Sequence, residues 1–336
     1  PYLAVRTGLK CVSCHLDPDG GGLRTVVGDA FARTEIARRA IDTGSAGIWT
    51  GEITNRLRAG GDLRADLGYT DTSGSPAKSD FGLESANLYG AFAAIPNLLT
   101  VYVDEQVAPG SATPREVVGL LRPAGGRYTV KVGKFFLPFG LRLQDDSAYI
   151  RQVTGINYET PDTGAEFGLE LPKWSAQAAV TNGTAGGGEV DAGKQLSLSA
   201  SYVKSRWRLG ASFNVNNAAL GDREMGGLFA GLRTGPIAWL AEVDHITDET
   251  PQGDEDRVAT LVEGNWHLAA GQNLKLTYEF YDPPGKNDGR ERYSLVWELG
   301  PFQLLQTRLG LRAYNGIPGD AVNNRREVFA ELHMYF

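Results

Sequence analysis

Apolar and polar residues alternate along most of the chain from about residue 48 onward. Every second residue between positions 57 and 69 is apolar or small: Leu57, Ala59, Gly61, Leu63, Ala65, Leu67 and Tyr69. The intervening positions are mostly charged: Arg58, Asp62, Arg64 and Asp66. Because successive side chains of a strand point to opposite faces, this pattern predicts an all-β chain whose strands have one apolar and one polar face.

The segments between the predicted strands alternate between short turns and long polar loops. The short turns are at 95–97, 124–126, 204–206, 233–236 and 300–301. The long loops are at 71–79, 135–164, 184–194, 248–256, 282–289 and 314–324. This alternation, with Trp239, Trp266 and Tyr278 near strand ends, is typical of transmembrane β-barrels. We predict an antiparallel transmembrane β-barrel of about 16 strands, with a soluble β-sandwich or solenoid as the alternative.

The last residues form one more predicted strand. Its apolar face carries Val328, Ala330, Leu332, Met334 and Phe336. A terminal Phe on that face resembles the C-terminal signature of bacterial outer-membrane proteins. We therefore expect the chain in the cell outer membrane, with both termini on the periplasmic side.

The composition narrows the class of protein further. Charged residues make up 22% of the 336 positions, and no stretch approaches the roughly 18 apolar residues that a spanning helix requires. The net charge of -7 disfavours nucleic acid as a partner. The chain begins at Pro1 without an apolar leader, and we interpret it as a processed chain whose signal peptide has been removed.

Both cysteines stand in one pentapeptide, Cys11-Val12-Ser13-Cys14-His15. C-x-x-C-H is the attachment motif for c-type haem, in which two thiols bond to the porphyrin and the imidazole reaches the iron. A redox C-x-x-C would be expected in a βαβ unit, and a zinc site would require further Cys or His nearby, whereas the next histidine is His245. We predict one covalent haem c on Cys11 and Cys14, with His15 as an axial iron ligand.

The segment around this motif is short. Residues 20–22 are glycines, residues 30–40 read as a brief helix, and strand patterning begins near Ile48. We divide the chain into a monohaem c-type cytochrome segment, 1–47, and a β-barrel, 48–336. Chains shorter than about fifty residues rarely build an adequate core. The haem segment, a coil with a short helix, is therefore expected to plug or cap the barrel lumen.

Two stretches resemble known families. Residues 133–141, Gly-Lys-Phe-Phe-Leu-Pro-Phe-Gly-Leu, resemble a motif of the phosphate-selective porin O and P family, where it ends a strand and opens a long loop. The first nine residues, leading into Cys11, resemble the N-terminus of the fused monohaem cytochrome–porins. That resemblance implies a barrel of about 16 strands plugged by a haem domain, and some members are implicated in iron(II) oxidation.

These features favour an electron-transfer protein over a substrate-converting enzyme. Its haem would move electrons between periplasmic and extracellular redox partners, such as cytochromes or extracellular iron(II). The other partners we expect are outer-membrane lipid and either further copies of the chain or a larger redox complex. A solute or ion porin, with the haem segment as a structural or sensory plug, is the alternative. A haem peroxidase would need an open iron position and a distal acid–base group.

The second axial ligand of the iron can be sought among residues that face the lumen, because alternate residues of a strand (strand parity) face opposite sides of the sheet. The remaining histidines and the methionines are His245, His267, His333, Met225 and Met334. Inward acidic neighbours place His267 and His333 on the lumen side near the periplasmic end, whereas His245 and Met334 fall on the outer face or rim. We expect His333 or, as second choice, His267 to be the distal ligand, unless both are solvated lumen histidines.

Overall fold

The structure, a computed structural model, describes residues 1–42, 48–123, 125–189, 191–219 and 221–336. Residue 47, where the predicted haem segment ends, and residue 124 of one predicted turn lie outside the described residues. The described chain begins with three short helices, α1 (Tyr2–Thr7), α2 (Cys11–Cys14) and α3 (Val26–Phe31), the last continued by a π-helical turn over Ala32–Ile36. No described helix is long and apolar enough to cross a membrane.

Sixteen antiparallel strands then close into one barrel, in which each strand pairs with its sequence neighbours and the first pairs with the last. The prediction of about 16 strands is confirmed. The strands are β1 Leu57–Asp71, β2 Lys78–Ile95, β3 Leu99–Ala108, β4 Thr113–Leu121, β5 Tyr128–Phe135, β6 Asp162–Glu170, β7 Trp174–Thr181, β8 Gln195–Val203, β9 Trp207–Asn216, β10 Arg223–Thr234, β11 Ile237–Thr250, β12 Gly253–Ala269, β13 Gln272–Asp282, β14 Arg290–Phe302, β15 Leu305–Asn315 and β16 Arg326–Tyr335.

The strands present apolar side chains outward and polar ones inward. In β11, Trp239 and Val243 are exposed, whereas the alternate residues Glu242 and Asp244 are buried. The exposed set continues around the barrel with Leu209, Leu228, Trp266, Leu276, Leu311 and Val328. An apolar outer face around a charged interior is the arrangement of a transmembrane barrel.

The two ends of the barrel differ in the length of their connections. One end, called here the short-turn end, carries the turns β2–β3, β6–β7, β8–β9, β10–β11, β12–β13 and β14–β15. The other, the long-loop end, carries most of the longer connections, as predicted. The prediction of a long loop at 248–256 is wrong, because β11 continues to Thr250 and β12 begins at Gly253. Both faces of this hairpin are polar there, so the sequence shows no alternation that would indicate strands.

Residues 1–42 and 48–56, called the plug, occupy the short-turn end of the lumen. The predicted helix at 30–40 is displaced toward the N-terminus. It begins at Val26 because the Thr25 hydroxyl accepts a hydrogen bond from the Gly28 N–H at 3.1 Å, capping the first turn. Its π-helical continuation ends at Ile36, after which the Arg38 N–H donates to the Gly300 carbonyl of β14 at 2.7 Å.

The connection 136–161 between β5 and β6, called the inner loop, also lies inside the barrel. It contains one helical turn, α4 (Tyr149–Gln152), and buries Phe136, Leu137, Phe139, Leu141, Leu143, Ile150 and Ile156. Asp145 fastens it to the wall by ion pairs with Arg312 at 2.7 Å and Arg292 at 3.1 Å. Burial alone would raise the pKa of Asp145, but Arg312 and then Arg292 hold it well below its ordinary range.

Candidate functional site

The C-x-x-C-H motif forms a single helical turn inside the plug. Cys11–Cys14 are α2, and the His15 N–H donates to the Cys11 carbonyl at 2.9 Å. The following chain folds back on this turn, since the Thr25 N–H donates to the Cys14 carbonyl at 2.9 Å. Gly28 of α3 passes so close that an added Cβ would lie 2.0 Å from the Cys14 carbonyl oxygen. Only glycine therefore allows α3 to pack against the motif.

The two thiols of the motif stand at the two ends of α2. Cys11 and Cys14 are both free and are not joined in a disulfide. Burial, and next the neighbouring Cys11, raise the pKa of the Cys14 thiol above its ordinary value. Reactive C-x-x-C cysteines instead have a lowered pKa.

His15 is half-buried in the plug, and its side chain is uncharged at neutral pH. Burial, followed by the positive charge of Arg24, lowers the pKa of His15 to about 4. The imidazole is therefore uncharged at neutral pH, which is the form that binds a metal ion. Its Nδ1 atom is buried and has no hydrogen-bond partner among the described residues. A buried polar atom without a partner is energetically costly.

A cavity of about 390 Å³ brings the motif together with the far end of the chain. It lies between plug, inner loop and barrel wall, within the usual size of a cofactor or ligand pocket. Its lining includes Cys11, Cys14, His15, Arg24, Arg64, Leu137, Phe139, Leu141, Tyr158, Arg208, Phe229, Gln306, His333 and Tyr335. Three separate parts of the sequence therefore enclose the motif.

His333 reaches this cavity from the last strand of the barrel. It is 7% exposed and points inward from β16, as parity predicted. Its Nδ1 lies 3.4 Å from Gln306 Oε1, and its Nε2 is buried and without a hydrogen-bond partner among the described residues. Asp62 is the nearest carboxylate, with Oδ2 at 3.8 Å from Nε2.

The structure does not bring the other candidate histidine to the cavity. His267 stands near the end of β12, half-buried at the short-turn end, and does not line the space shared by His15 and His333. His245 is exposed on the outer face beside Asp256, and Met334 is also outward, as expected. Met225 is buried inside the barrel but does not line the cavity either.

Arginines hold the plug by its backbone. Five of them, four from the barrel and its turns and one from the inner loop, each donate to a carbonyl oxygen of the plug. The bonds are Arg233 to Arg6 at 2.8 Å, Arg208 to Leu9 at 2.8 Å, Arg122 to Leu16 at 3.0 Å, Arg142 to Gly20 at 2.8 Å and Arg58 to Arg24 at 2.9 Å. Charge-assisted bonds of this kind are stronger than neutral ones. They satisfy carbonyls that the plug, with its few short helices, leaves unpaired. Sequence reasoning gave no signal for this contact.

A buried cation fixes the loop that follows the motif. Lys131 of β5 is 1% exposed, and its ammonium lies 3.1 Å from Asp17 Oδ1 and 3.2 Å from Glu166 Oε1, with Asp19 also in contact. Burial would raise the pKa of Asp17, but Lys131 and then Arg142 lower it well below its ordinary range. One barrel cation therefore forms ion pairs with both carboxylates that stand just after His15.

Replacing Lys131 by Met is expected to loosen the plug strongly. The change leaves three buried carboxylates without their shared cation, and breaking a buried pair in this way costs about 3–5 kcal/mol. Limited trypsin digestion should then cut the plug at least ten times faster, while the barrel keeps its heat-modifiable migration on a gel. Lys78→Met, at an exposed strand end, is the matched control. Equal digestion of the two variants would show that Lys131 does not hold the plug.

A closed barrel of sixteen antiparallel strands with an apolar outer face is the fold found in outer-membrane porins. Several solved structures of outer-membrane proteins share this fold with the chain. The chain is similar to OmpT of Vibrio cholerae, with 14% identity and a TM-score of 0.64 over 83% of this chain and 97% of that one. It is similar to an anion-selective porin from Comamonas acidovorans, with 12% identity and a TM-score of 0.64 over 83% and 99%.

The outer membrane channel DcaP of Acinetobacter baumannii is similar to the same degree, with 12% identity and a TM-score of 0.63 over 83% of this chain and 97% of that one. At such identities the likeness concerns the fold alone. No protein-family model matches the chain, and no curated protein matches it in sequence. The likeness of its first nine residues to the cytochrome–porins stays a prediction.

Proposed function

We propose that this chain is an outer-membrane barrel that carries one haem c in its lumen and transfers electrons between redox partners on the two sides of the membrane. The observation that carries the proposal is that one cavity is lined both by the motif residues Cys11, Cys14 and His15 and by His333. The fit of these residues to a haem is supported by the two free thiols and by the orphaned ring nitrogens of His15 and His333. A bound haem would supply one-electron chemistry at its iron.

Each part of the chain has a separate role in this proposal. Cys11 and Cys14 would hold the porphyrin covalently through their sulfur atoms. His15 and His333 would bind the iron, and Gln306 would orient the ring of His333. The apolar side chains of the inner loop, such as Leu137 and Phe139, exclude water from the cavity. Half-buried Arg24 and Arg64 supply positive charge on its wall.

The proposal places the barrel in the outer membrane with its short-turn end toward the periplasm. The apolar belt of outward side chains supports contact with lipid. The plug and the last strand both lie at the short-turn end, where the Phe336 N–H donates to the Gly61 carbonyl at 3.0 Å. A structure of OmpT described as a trimer form has the same fold, and we propose that this chain also assembles as a homo-oligomer or with a redox partner.

Proteoliposomes test the proposed function directly. Oxidised cytochrome c is trapped inside, and a membrane-impermeant reductant is added outside. Vesicles with the wild-type chain should reduce the trapped cytochrome at least ten times faster than vesicles with the Cys11→Ala/Cys14→Ala variant. Equal rates would contradict electron transfer through this barrel.

A solute pore is the second candidate, favoured by the porins and channels that share the fold, one of them described as anion-selective. The lumen of this chain does not present one sign of charge. Arg308 pairs with Glu331 at 2.7 Å, and Lys275 pairs with Glu298 at 3.3 Å. Paired charges of this kind offer little selectivity for anions. Liposome swelling by the wild-type chain at the rate of an open porin would favour the pore.

Removal of residues 144–154 from the inner loop is expected to open the lumen without unfolding the barrel. The deletion removes Asp145 and α4 but no strand, because β5 ends at Phe135 and β6 begins at Asp162. Swelling of liposomes in a small sugar should rise several-fold, and gel migration should remain heat-modifiable. Deletion of Gly186 and Gly187, which are exposed in the β7–β8 connection, is the control and should leave swelling unchanged. Equal swelling of the 144–154 deletion and the wild-type chain would show that the inner loop does not constrict the lumen.

A further inference from the structure

The two ends of the barrel carry exposed charges of opposite sign. Among the described residues of the short-turn end, the exposed cations are Arg38, Arg39, Arg56, Arg127, Lys173, Lys204 and Arg206, against the exposed carboxylates Glu35, Asp42 and Glu52. At the long-loop end, outside the inner loop, the exposed carboxylates are Asp71, Asp80, Glu189, Glu224, Glu249, Asp254, Asp256 and Asp282. The exposed cations there are Lys78, Lys194, Lys286 and Arg326. A chain with a net charge of -7 therefore has one basic end.

The exposed cations surround the mouth of the lumen rather than clustering on one side. Arg56 precedes β1, Arg127 precedes β5, and Lys173 lies in the β6–β7 turn. Lys204 and Arg206 form the next turn, between β8 and β9. Arg38 and Arg39 lie across the ring, where their backbones contact Gly300 and Phe302 of β14. A ring of like charge around an opening focuses an attractive potential for the opposite charge.

Exposed apolar residues of the plug lie within this basic rim. Val26 and Val27, in the first turn of α3, are 65% and 55% exposed. Trp49 and Ile53 are exposed as well. Arg33, in the π-helical turn that continues α3, donates to the Trp49 carbonyl at 2.6 Å and so links the segment of the valines to that of Trp49. The helix that carries the two valines is the one that packs on the C-x-x-C-H turn. An apolar centre with a charged rim is the usual anatomy of a protein interface.

We propose that the short-turn end is a docking face for a small acidic electron-transfer protein, an inference that rests on the proposed function. The docking face consists of the seven exposed cations together with Val26, Val27, Trp49 and Ile53. The cations attract and orient the acidic carrier, and the valines make the close contact beside the motif. The reduced carrier would pass one electron to the haem iron and would itself be oxidised. Steering of this kind raises association rates by about 10–1,000-fold and falls steeply with salt.

Stopped-flow reduction of the haem tests the docking face. The probe is reduced plant-type [2Fe–2S] ferredoxin, a small acidic carrier, mixed with the oxidised barrel in detergent at 20 and 200 mM NaCl. The second-order rate constant for the wild-type chain should fall at least tenfold between the two salt concentrations, because the charges become screened.

Two matched variants locate the effect. Replacing Arg38, Arg39, Lys204 and Arg206 by Gln should slow reduction by ferredoxin at least tenfold at 20 mM NaCl and remove most of the salt dependence. The control replaces Lys78, Lys194, Lys286 and Arg326 by Gln, which makes the same change in net charge at the other end, and should alter the rate less than twofold. Equal effects of the two variants would overturn the proposal, since net charge would then explain them.

The apolar centre is tested separately from the charges. Val26→Ser combined with Val27→Ser should weaken binding of ferredoxin at least fivefold while the salt dependence remains. Both side chains are exposed, so the variant should fold like the wild-type chain. Unchanged affinity would overturn the assignment of the valines to the docking face.

Binding without haem separates this inference from the proposed function. Ferredoxin binding to the Cys11→Ala/Cys14→Ala variant, measured by interferometry, should match binding to the wild-type chain. Binding together with absence of haem in the wild-type chain would refute the proposed electron transfer but support the docking face. Haem in the wild-type chain together with no ferredoxin binding would leave the proposed electron transfer standing but refute the docking face.

Binding to lipid is a separate outcome. If the four-Gln variant of the short-turn end loses binding to phosphatidylglycerol vesicles but keeps ferredoxin binding, the basic ring recognises lipid and the docking proposal is wrong.

Discussion

The chain with both Cys11 and Cys14 replaced by alanine is expected to carry no haem that survives acidic organic extraction. Each cysteine supplies one thioether, and the structure shows both thiols free at the two ends of a single helical turn. Removing one should leave a single bond and a shifted haemochrome spectrum, and removing both should lower covalent haem from one per chain to none. The pyridine haemochrome assay, with protein quantified in parallel, measures this directly.

The alanine pair should leave the fold intact. The plug is fastened through carbonyl oxygens at Leu9, Leu16 and Gly20, which the substitutions do not touch. Ser13→Ala, inside the same turn but without a thiol, is the control and should retain the full amount of haem. Absence of covalent haem from both the wild-type chain and this control, after expression with a c-type maturation system, would contradict haem attachment altogether.

Replacing His333 by alanine is expected to convert a low-spin haem into a high-spin one. His333 is buried on the inward face of β16, its Nε2 lacks a hydrogen-bond partner, and it shares a cavity with His15. With the ligand removed, the iron would be left five-coordinate or bound by water, and the reduction potential should rise relative to that of a bis-histidine site. Absorption and electron paramagnetic resonance spectra of the oxidised and reduced protein report both changes.

His267→Ala is the matched control for this experiment. His267 stands at the same end of the barrel but does not line the cavity, so its removal should leave spin state and potential unchanged. Gln306→Leu should have a smaller effect, weakening the orientation of the His333 ring while the haem stays low-spin. A low-spin haem in both histidine variants would show that the distal ligand lies elsewhere.

The barrel was predictable from sequence because each strand and turn depends on neighbouring residues, and the same alternating pattern recurs in most of the strands. The period of two gave the strand faces, and glycine-rich and polar segments gave most of the turns. Parity also placed His267 and His333 on the inward face, and their closeness to a short turn and to the chain end placed them at the short-turn end. Parity does not give the position of a side chain relative to the plug, which decides that only His333 reaches the cavity.

The contacts between the plug and the barrel were not predictable from sequence, because they join residues far apart in the chain. The partners of the plug are arginines such as Arg208 and Arg233, which lie about two hundred residues away in sequence. Their acceptors are backbone carbonyls, which every residue has, so no residue type in the plug marks the contact. Similarly, Lys131 reads as an ordinary inward charge of β5, and only the folded chain shows that Asp17 and Asp19 meet it.

The arginine bonds to plug carbonyls have a consequence for how such a chain can evolve. A guanidinium that binds a carbonyl oxygen does not distinguish one side chain from another, so most plug residues can drift as long as the backbone keeps its path. The five arginines and the tight glycine at position 28 cannot change so freely. Among descendants of this chain, the sequence of the plug should diverge faster than the barrel positions that hold it. Within the plug, the C-x-x-C-H turn should remain conserved.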